Sequence, residues 1–235
     1  MTAAQTKTKS DPNNDHAKLA KIGSFVTRRL ESNPLVVPVD VPNAQIYVYQ
    51  GFLNAADCKI LIDKTDAEAV PSTLYKGTEQ PGFRTSYSCH LSRWDADIGR
   101  IEARMSDVLG IENDYAETMQ AQRYQLGQEF KAHHDFFHPS QDYWQQEGPS
   151  GGQRSWTAMI FLNEPDEGGT TEFPNLGIGV RPQSGMMLIW NNMNPDGTPN
   201  YKTLHTGTPV KAGVKYVITK WYRQNNWLEL TTAKS

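Results

Sequence analysis

Apolar residues recur at helical spacing in the first half of this chain and at strand spacing in the second. Within 17–30, Leu19, Ile22, Phe25, Val26 and Leu30 lie close to one face of a helix, which predicts an amphipathic helix there. Ile98, Ile101, Met105, Val108 and Leu109 draw a second apolar stripe and predict a helix over 95–109. Between them, Asn54 is placed to cap a helix through Cys58, Ile60, Leu61 and Ile62. Pro34, Pro38 and Pro42 break the chain, Ile46–Tyr49 and 86–91 read as short strands, and 70–83 reads as a loop. From residue 119 the texture changes. The runs 119–126, 156–162, 186–190 and 214–223 are short and rich in β-branched and aromatic residues, with Gly and Pro between them. The pattern predicts a mainly β fold with N-terminal helices, in one domain over 17–235. Residues 1–16 are polar and aperiodic and read as a disordered tail.

Composition narrows the classes. The chain has 235 residues, with 23 Lys plus Arg against 26 Asp plus Glu, a net charge of −3. That fits poorly with broad electrostatic binding to nucleic acid. No stretch approaches 18 consecutive apolar residues, so no membrane-spanning helix is expected. The N-terminus lacks the apolar core of a secretory signal. Two cysteines, Cys58 and Cys89, are too few for a disulfide scaffold or a Cys-only zinc site. Together these lead us to expect a cytoplasmic protein.

Six histidines remain, and three lie within six positions: His133, His134 and His138. In the strand-like stretch YQLGQEFKAHHDFF, residues two apart share a face, so His133 and Asp135 can bind one metal while His134 turns away. His205 can supply the third ligand. Two His and a carboxylate form the facial triad of non-haem Fe(II) oxygenases, although the same set suits a catalytic zinc. Ten positions past His205, Lys215 opens a strand. It is either a surface lysine or an anchor for the far carboxylate of a dicarboxylate held at the metal. Segment 136–152, FFHPSQDYWQQEGPSGG, reads as a mobile loop over the site that orders on substrate binding. His138 falls in that loop as a solvent-facing residue or substrate contact. His134 and His90 are assigned to structure and His16 to the tail.

Six motifs occur in order: Arg84-Thr85-Ser86; Arg123-Tyr124 and Gly127-Gln128 leading to His133-x-Asp135; Gly152-Gln153-Arg154; Thr157; Gly168-Gly169-Thr170-Thr171-x-Phe173-Pro174; and His205 through Lys215 to Lys220-Trp221. On these residues the chain resembles the prolyl 4-hydroxylase branch of the 2-oxoglutarate- and Fe(II)-dependent dioxygenases, from about residue 46 to 223. The resemblance implies a double-stranded β-helix, or jelly roll, buttressed by N-terminal helices. It implies that His133, Asp135 and His205 ligate Fe(II) and that Lys215 pairs with the cosubstrate's far carboxylate. It implies that Tyr124 and Thr157 reach the cosubstrate through their hydroxyls. Arg154 and Trp221 match positions near the peptide-binding face, where Arg154 would bond a peptide carbonyl and Trp221 would pack on a proline ring. For Tyr124 and Trp221, plain core packing stays open. Arg223 stands where some relatives have His.

The implied reaction consumes 2-oxoglutarate and O2, releases succinate and CO2, and hydroxylates a peptidyl proline, with ascorbate as reductant. Two other readings stay open. One keeps the chemistry on a free amino acid or small molecule; the other is a non-catalytic jelly-roll sensor that retains the metal. A Lys rather than an Arg anchor speaks against the nucleic-acid demethylases.

Overall fold

Helix boundaries fall where side chains can satisfy free backbone groups. The computed structural model describes residues 11–75, 77–78 and 80–232. Its helices are α1 (His16–Glu31), α2 (Ala55–Glu68), α3 (Ala96–Leu109), α4 (Trp144–Glu147) and α5 (Trp227–Thr232). Asp15 caps α1 by accepting from Lys18 N, Asn54 caps α2 by accepting from Asp57 N, and Asp95 caps α3 by accepting from Asp97 N and Ile98 N. Gly110 ends α3 at φ 74°, the left-handed conformation that a Cβ disfavours.

The strands are β1 (Val36–Pro38), β2 (Ile46–Tyr49), β3 (Val70–Pro71), β4 (Tyr87–His90), β5 (Gln120–Tyr124), β6 (Phe130–His133) and β7 (Arg154–Phe161). They continue with β8 (Glu167–Gly168), β9 (Thr171–Phe173), β10 (Ile178–Val180), β11 (Met187–Asn191), β12 (His205–Gly207), β13 (Val210–Ala212) and β14 (Lys215–Arg223). One sheet has the order β1-β2-β11-β7-β14-β5-β4-β3, a second β10-β9-β12-β6, and β13 pairs with β8. The pairings are antiparallel. Two antiparallel sheets backed by helices are the predicted jelly roll.

Strand alternation assigns the side chains of the large sheet to two cores. Trp156, Ala158 and Ile160 of β7, Met187 and Ile189 of β11, and Ile218 and Tyr222 of β14 pack against Val26 and Leu30 of α1, Leu61 of α2 and Ile101 and Met105 of α3. The intervening Met159, Phe161, Leu188, Trp190 and Val217 face the smaller sheet with Phe173. Both faces are therefore buried, so these strands read as nearly continuous apolar runs.

Two expectations need correcting. The first is the tail over 1–16, whose residues 1–10 lie outside the described residues. Residues 11–15 are held in place, and His16 opens α1 instead of belonging to a tail. Asp11 accepts from Trp144 Nε1 at 2.9 Å, Gln153 N donates to Asn13 O at 3.1 Å, and Asp15 N donates to Gln224 Oε1 at 3.0 Å. The second is the loop over 136–152, which is folded and anchored. It carries α4 and a 3₁₀ turn at Gly148–Ser150. Phe136, Phe137 and Trp144 are buried, and Glu147 pairs with Arg223 at 3.0 Å.

Candidate functional site

Antiparallel pairing brings the three predicted metal ligands together across 70 residues of chain. β12 lies beside β6 in the smaller sheet with His205 directly opposite His133. Asp135 stands two residues past His133, just beyond the end of β6, and reaches toward the larger sheet. One ligand atom from each of the three lies within 4.8 Å of the others. His133 Nε2 is 3.9 Å and His205 Nε2 is 3.8 Å from the Asp135 carboxylate. Those gaps are too long for hydrogen bonds and short enough for one shared ion.

The surrounding bonds fix the donor atoms. His133 Nδ1 is 2.8 Å from Lys131 O and His205 Nδ1 is 2.9 Å from Thr203 O. Each Nδ1–H donates to a carbonyl, which leaves each Nε2 lone pair facing the centre. Phe130 stacks on the His133 ring at 3.6 Å and the Trp190 edge meets His205 at 4.9 Å. Burial and the neighbouring His205 push the His133 imidazole down to about 3, so it is neutral at pH 7. Burial alone would lift the Asp135 carboxyl, but His205, His133 and Arg154 hold it below its ordinary value. Neutral imidazole and ionised carboxylate are the states a divalent ion requires, and an open-faced His₂-carboxylate set suits Fe(II).

Lys215 occupies a cleft next to the triad, bounded by Tyr124, Thr171, Gly207 and Val217. Its β14 position faces Tyr124 of β5 in register. The side chain is buried, and its nearest polar contact is Thr171 Oγ1, at the long distance of 3.5 Å. Burial pushes the ammonium down to about 7. No carboxylate lies within ion-pair distance among the described residues, so the cleft is preorganised for an anion brought from outside. Tyr124 lines the same cleft and donates to Gln122 Oε1 at 2.7 Å.

Thr157, expected to reach the cosubstrate, has its hydroxyl engaged within the protein. It donates to Asp135 Oδ2 at 2.7 Å and accepts from Asn192 Nδ2 at 3.0 Å. Strand β7 alternation points Thr157 at the carboxylate, so it braces that predicted metal ligand. His134 turns away from the triad, stacks on Phe136 at 4.6 Å and bonds Tyr201 O at 3.4 Å.

On the other side of the triad lies a cavity of about 490 Å³, rimmed by the exposed Tyr75, His90 and Ala132. Trp221 and Arg154 line it. Trp221 is shared with the Lys215 cleft, and its Nε1 has no hydrogen-bond partner among the described residues. The Arg154 guanidinium lies over the Trp221 ring at 4.1 Å. Its Nε and Nη2 hold Glu117 at 2.6 and 2.7 Å, and Nη2 also donates to Tyr75. Arg223 donates to Glu117 as well, at 2.7 Å. Burial opposes ionisation of Glu117, yet the two guanidinium groups hold its carboxyl down at about 2. The charge expected to meet a peptide carbonyl at Arg154 is thus largely committed inside the protein.

Sequence reasoning left four residues of this region without a role: Arg84, Glu117, Gln122 and Thr171. A signal was present. Gln120, Gln122 and Tyr124 repeat polarity at every second position of a buried strand, and a polar face on a core strand marks a site.

Comparison with known proteins agrees with this geometry. Residues 119–223 match the model of the 2OG-Fe(II) oxygenase superfamily. Prolyl 4-hydroxylase 13 of Arabidopsis thaliana is 31% identical over 205 residues, covering 79% of this chain and 73% of its own. The chain belongs to the prolyl 4-hydroxylases of this superfamily. Another member, prolyl 4-hydroxylase 5 of Arabidopsis thaliana, is 32% identical over 199 residues, covering 74% of this chain and 67% of its own. The viral collagen prolyl hydroxylase of Paramecium bursaria Chlorella virus-1, solved with 2OG, superposes with a TM-score of 0.60 at 28% identity. The match covers 76% of this chain and 95% of that one. A Pseudomonas putida prolyl-4-hydroxylase shares the fold at 18% identity and a TM-score of 0.56, over 86% of this chain and 98% of that one. As a member of this family, the chain is a 2-oxoglutarate- and Fe(II)-dependent dioxygenase.

Proposed function

We propose that this dioxygenase hydroxylates proline within a peptide. The observation that carries the reading is the pairing of two cavities on one triad. The inner cleft ends on an unpaired buried amine, and the outer cavity is open and lined by aromatic rings and a guanidinium. An aromatic, partly desolvated cavity of this size accepts a proline ring with its flanking backbone.

Iron bound with 2-oxoglutarate supplies the oxidising chemistry, with succinate and CO2 as co-products. The protein does the rest. His133, Asp135 and His205 hold the metal, with Thr157 fixing one oxygen of Asp135. Lys215 charges fully when it meets the far carboxylate of 2-oxoglutarate, and the buried walls around it strengthen that pair. Trp221 separates the cosubstrate cleft from the substrate cavity and offers its apolar face to the proline. Phe130 and Trp190 shield the imidazoles from water. Ascorbate as reductant and a cytoplasmic site of action belong to the same reading; the two free, buried cysteines fit a reducing compartment.

The test is mass spectrometry of a proline-containing peptide library incubated with enzyme, Fe(II), 2-oxoglutarate and ascorbate. A +16 Da product on proline is expected, and Asp135→Ala abolishes it. Products only on free proline or small molecules, or on residues other than proline, would overturn the reading.

A further inference from the structure

The outer cavity holds a second cation that no carboxylate pairs with among the described residues. Arg154 and Arg223 are balanced by Glu117 and Glu147 in one connected network. Arg84 stands outside it. Its Nε donates to Ser86 Oγ at 3.2 Å and its Nη2 to Gln120 Oε1 at 2.8 Å, both neutral acceptors. Among the described residues, no carboxylate lies within ion-pair distance of Arg84. The acids lining the cavity are Asp135, which faces the metal site, and Glu117, already held by two arginines. The guanidinium is fixed in place, because it lies over the Phe130 ring at 4.8 Å and Phe130 stacks on His133.

Holding a guanidinium in a pocket on neutral acceptors costs free energy that a ligand carboxylate would return. Burial lowers the affinity of Arg84 for its proton, with Tyr124 and the more distant Asp135 pulling only partly the other way. The residue is also linked to the cosubstrate side. Gln120 Oε1 accepts from both Arg84 and Gln122 Nε2, and Gln122 Oε1 accepts from Tyr124. An anion at Arg84 would thus be recognised by a group braced against the cosubstrate cleft.

We propose that Arg84 is a substrate carboxylate site, which gives this enzyme a preference for a prolyl substrate bearing an anionic carboxylate near the target ring. The inference rests on the proline reading above and adds to it the charge of the substrate. Arg84 stands one phenyl ring from a metal ligand, and an extended chain advances roughly 3.3–3.6 Å per residue. The carboxylate therefore belongs within about two or three residues of the target proline. An Asp or Glu side chain, a peptide C-terminus, or the carboxylate of free proline can supply it.

The experiment compares kcat/KM of the Fe(II)-loaded enzyme on matched substrates. One pair carries Glu or Gln two residues from proline, a second carries a free or amidated C-terminus two residues from proline, and free L-proline completes the set. A tenfold or greater preference for a carboxylate-bearing member is expected, and the favoured arm identifies its source. Arg84→Gln should erase the preference by bringing the KM values of charged and neutral members together, whatever its effect on the kcat they share. Arg84→Lys should retain part of the preference, which separates loss of charge from loss of fold. Equal rates on charged and neutral members, or a preference that survives in Arg84→Gln, overturn this inference and leave proline hydroxylation standing. Absence of hydroxyproline from every peptide overturns both, whether or not free L-proline is hydroxylated.

Discussion

Strand β14 carries two buried lysines five positions apart, and they have opposite fates. Lys220 faces the helices and is fully buried, with Nζ 2.6 Å from Glu102 of α3. Lys215 faces the cleft between the sheets, where its nearest polar contact is a hydroxyl at 3.5 Å. Burial pushes both ammonium groups down, Lys215 to about 7 and Lys220 to about 8 against the pull of Glu102. A buried charge with its counter-charge in the protein belongs to the structure. A buried charge without one is held ready for a ligand, because the free energy lost on desolvation returns when the ligand binds. The same contrast separates Arg154, paired with Glu117, from Arg84, held by neutral acceptors.

The largest effect expected from breaking this contrast is at Lys215. Lys215→Met should lower 2-oxoglutarate affinity at least about 100-fold, the scale of losing a buried charge pair. Chemical denaturation of the same variant should show stability unchanged or raised, because an unpaired amine has left the interior. A large destabilisation of Lys215→Met would make the residue structural and collapse the contrast.

Lys220 should behave in the reverse way. Lys220→Met strands the Glu102 carboxylate and should cost about 3–5 kcal/mol in denaturant unfolding. Pairing it with Glu102→Leu should recover most of that loss. Single and double variants that lose stability equally would show that the pair is not the cause.

The smallest effect sharpens the contrast through pH. Free Lys215 is half-charged near pH 7, and only its charged form pairs with a carboxylate. Cosubstrate binding should therefore take up protons, and affinity should fall by up to about tenfold per unit as pH rises above 7. Calorimetry on the Mn(II)-loaded protein, in buffers of different ionisation enthalpy, checks this. Proton release, or no uptake between pH 7 and 8, would contradict a depressed amine at the anion site. Lys215→Met should remove the linkage.

Much of the site could be read in one dimension because metal chemistry demands residue types and spacings. His133 and Asp135 sit two apart, so local geometry places them together. His205 and Lys215 could be named from their order and from the resemblance. Their positions come from strand register, with His205 opposite His133 and Lys215 opposite Tyr124. The hydroxyl partner of Thr157 could not be read, since a hydroxyl bonds whatever the opposite strand presents, and Asp135 is what it meets. The polar stretch at 11–15 resembled a tail because its partners, Trp144, Gln153 and Gln224, are more than a hundred residues away.

The three long N-terminal helices, the cap at Asn54, the long apolar strands and the choice of candidate metal ligands could be read from the sequence itself. These follow from periodicities of 3.6 and 2 and from ligand chemistry, which act over a few residues. Charge partnership was decided only by the tertiary structure. Lys215, Lys220, Arg84 and Arg154 are alike as letters, and their roles depend on which carboxylate, if any, the fold brings within 3 Å of each. Coulomb energy falls with distance and is amplified by burial, and both are properties of the assembled chain.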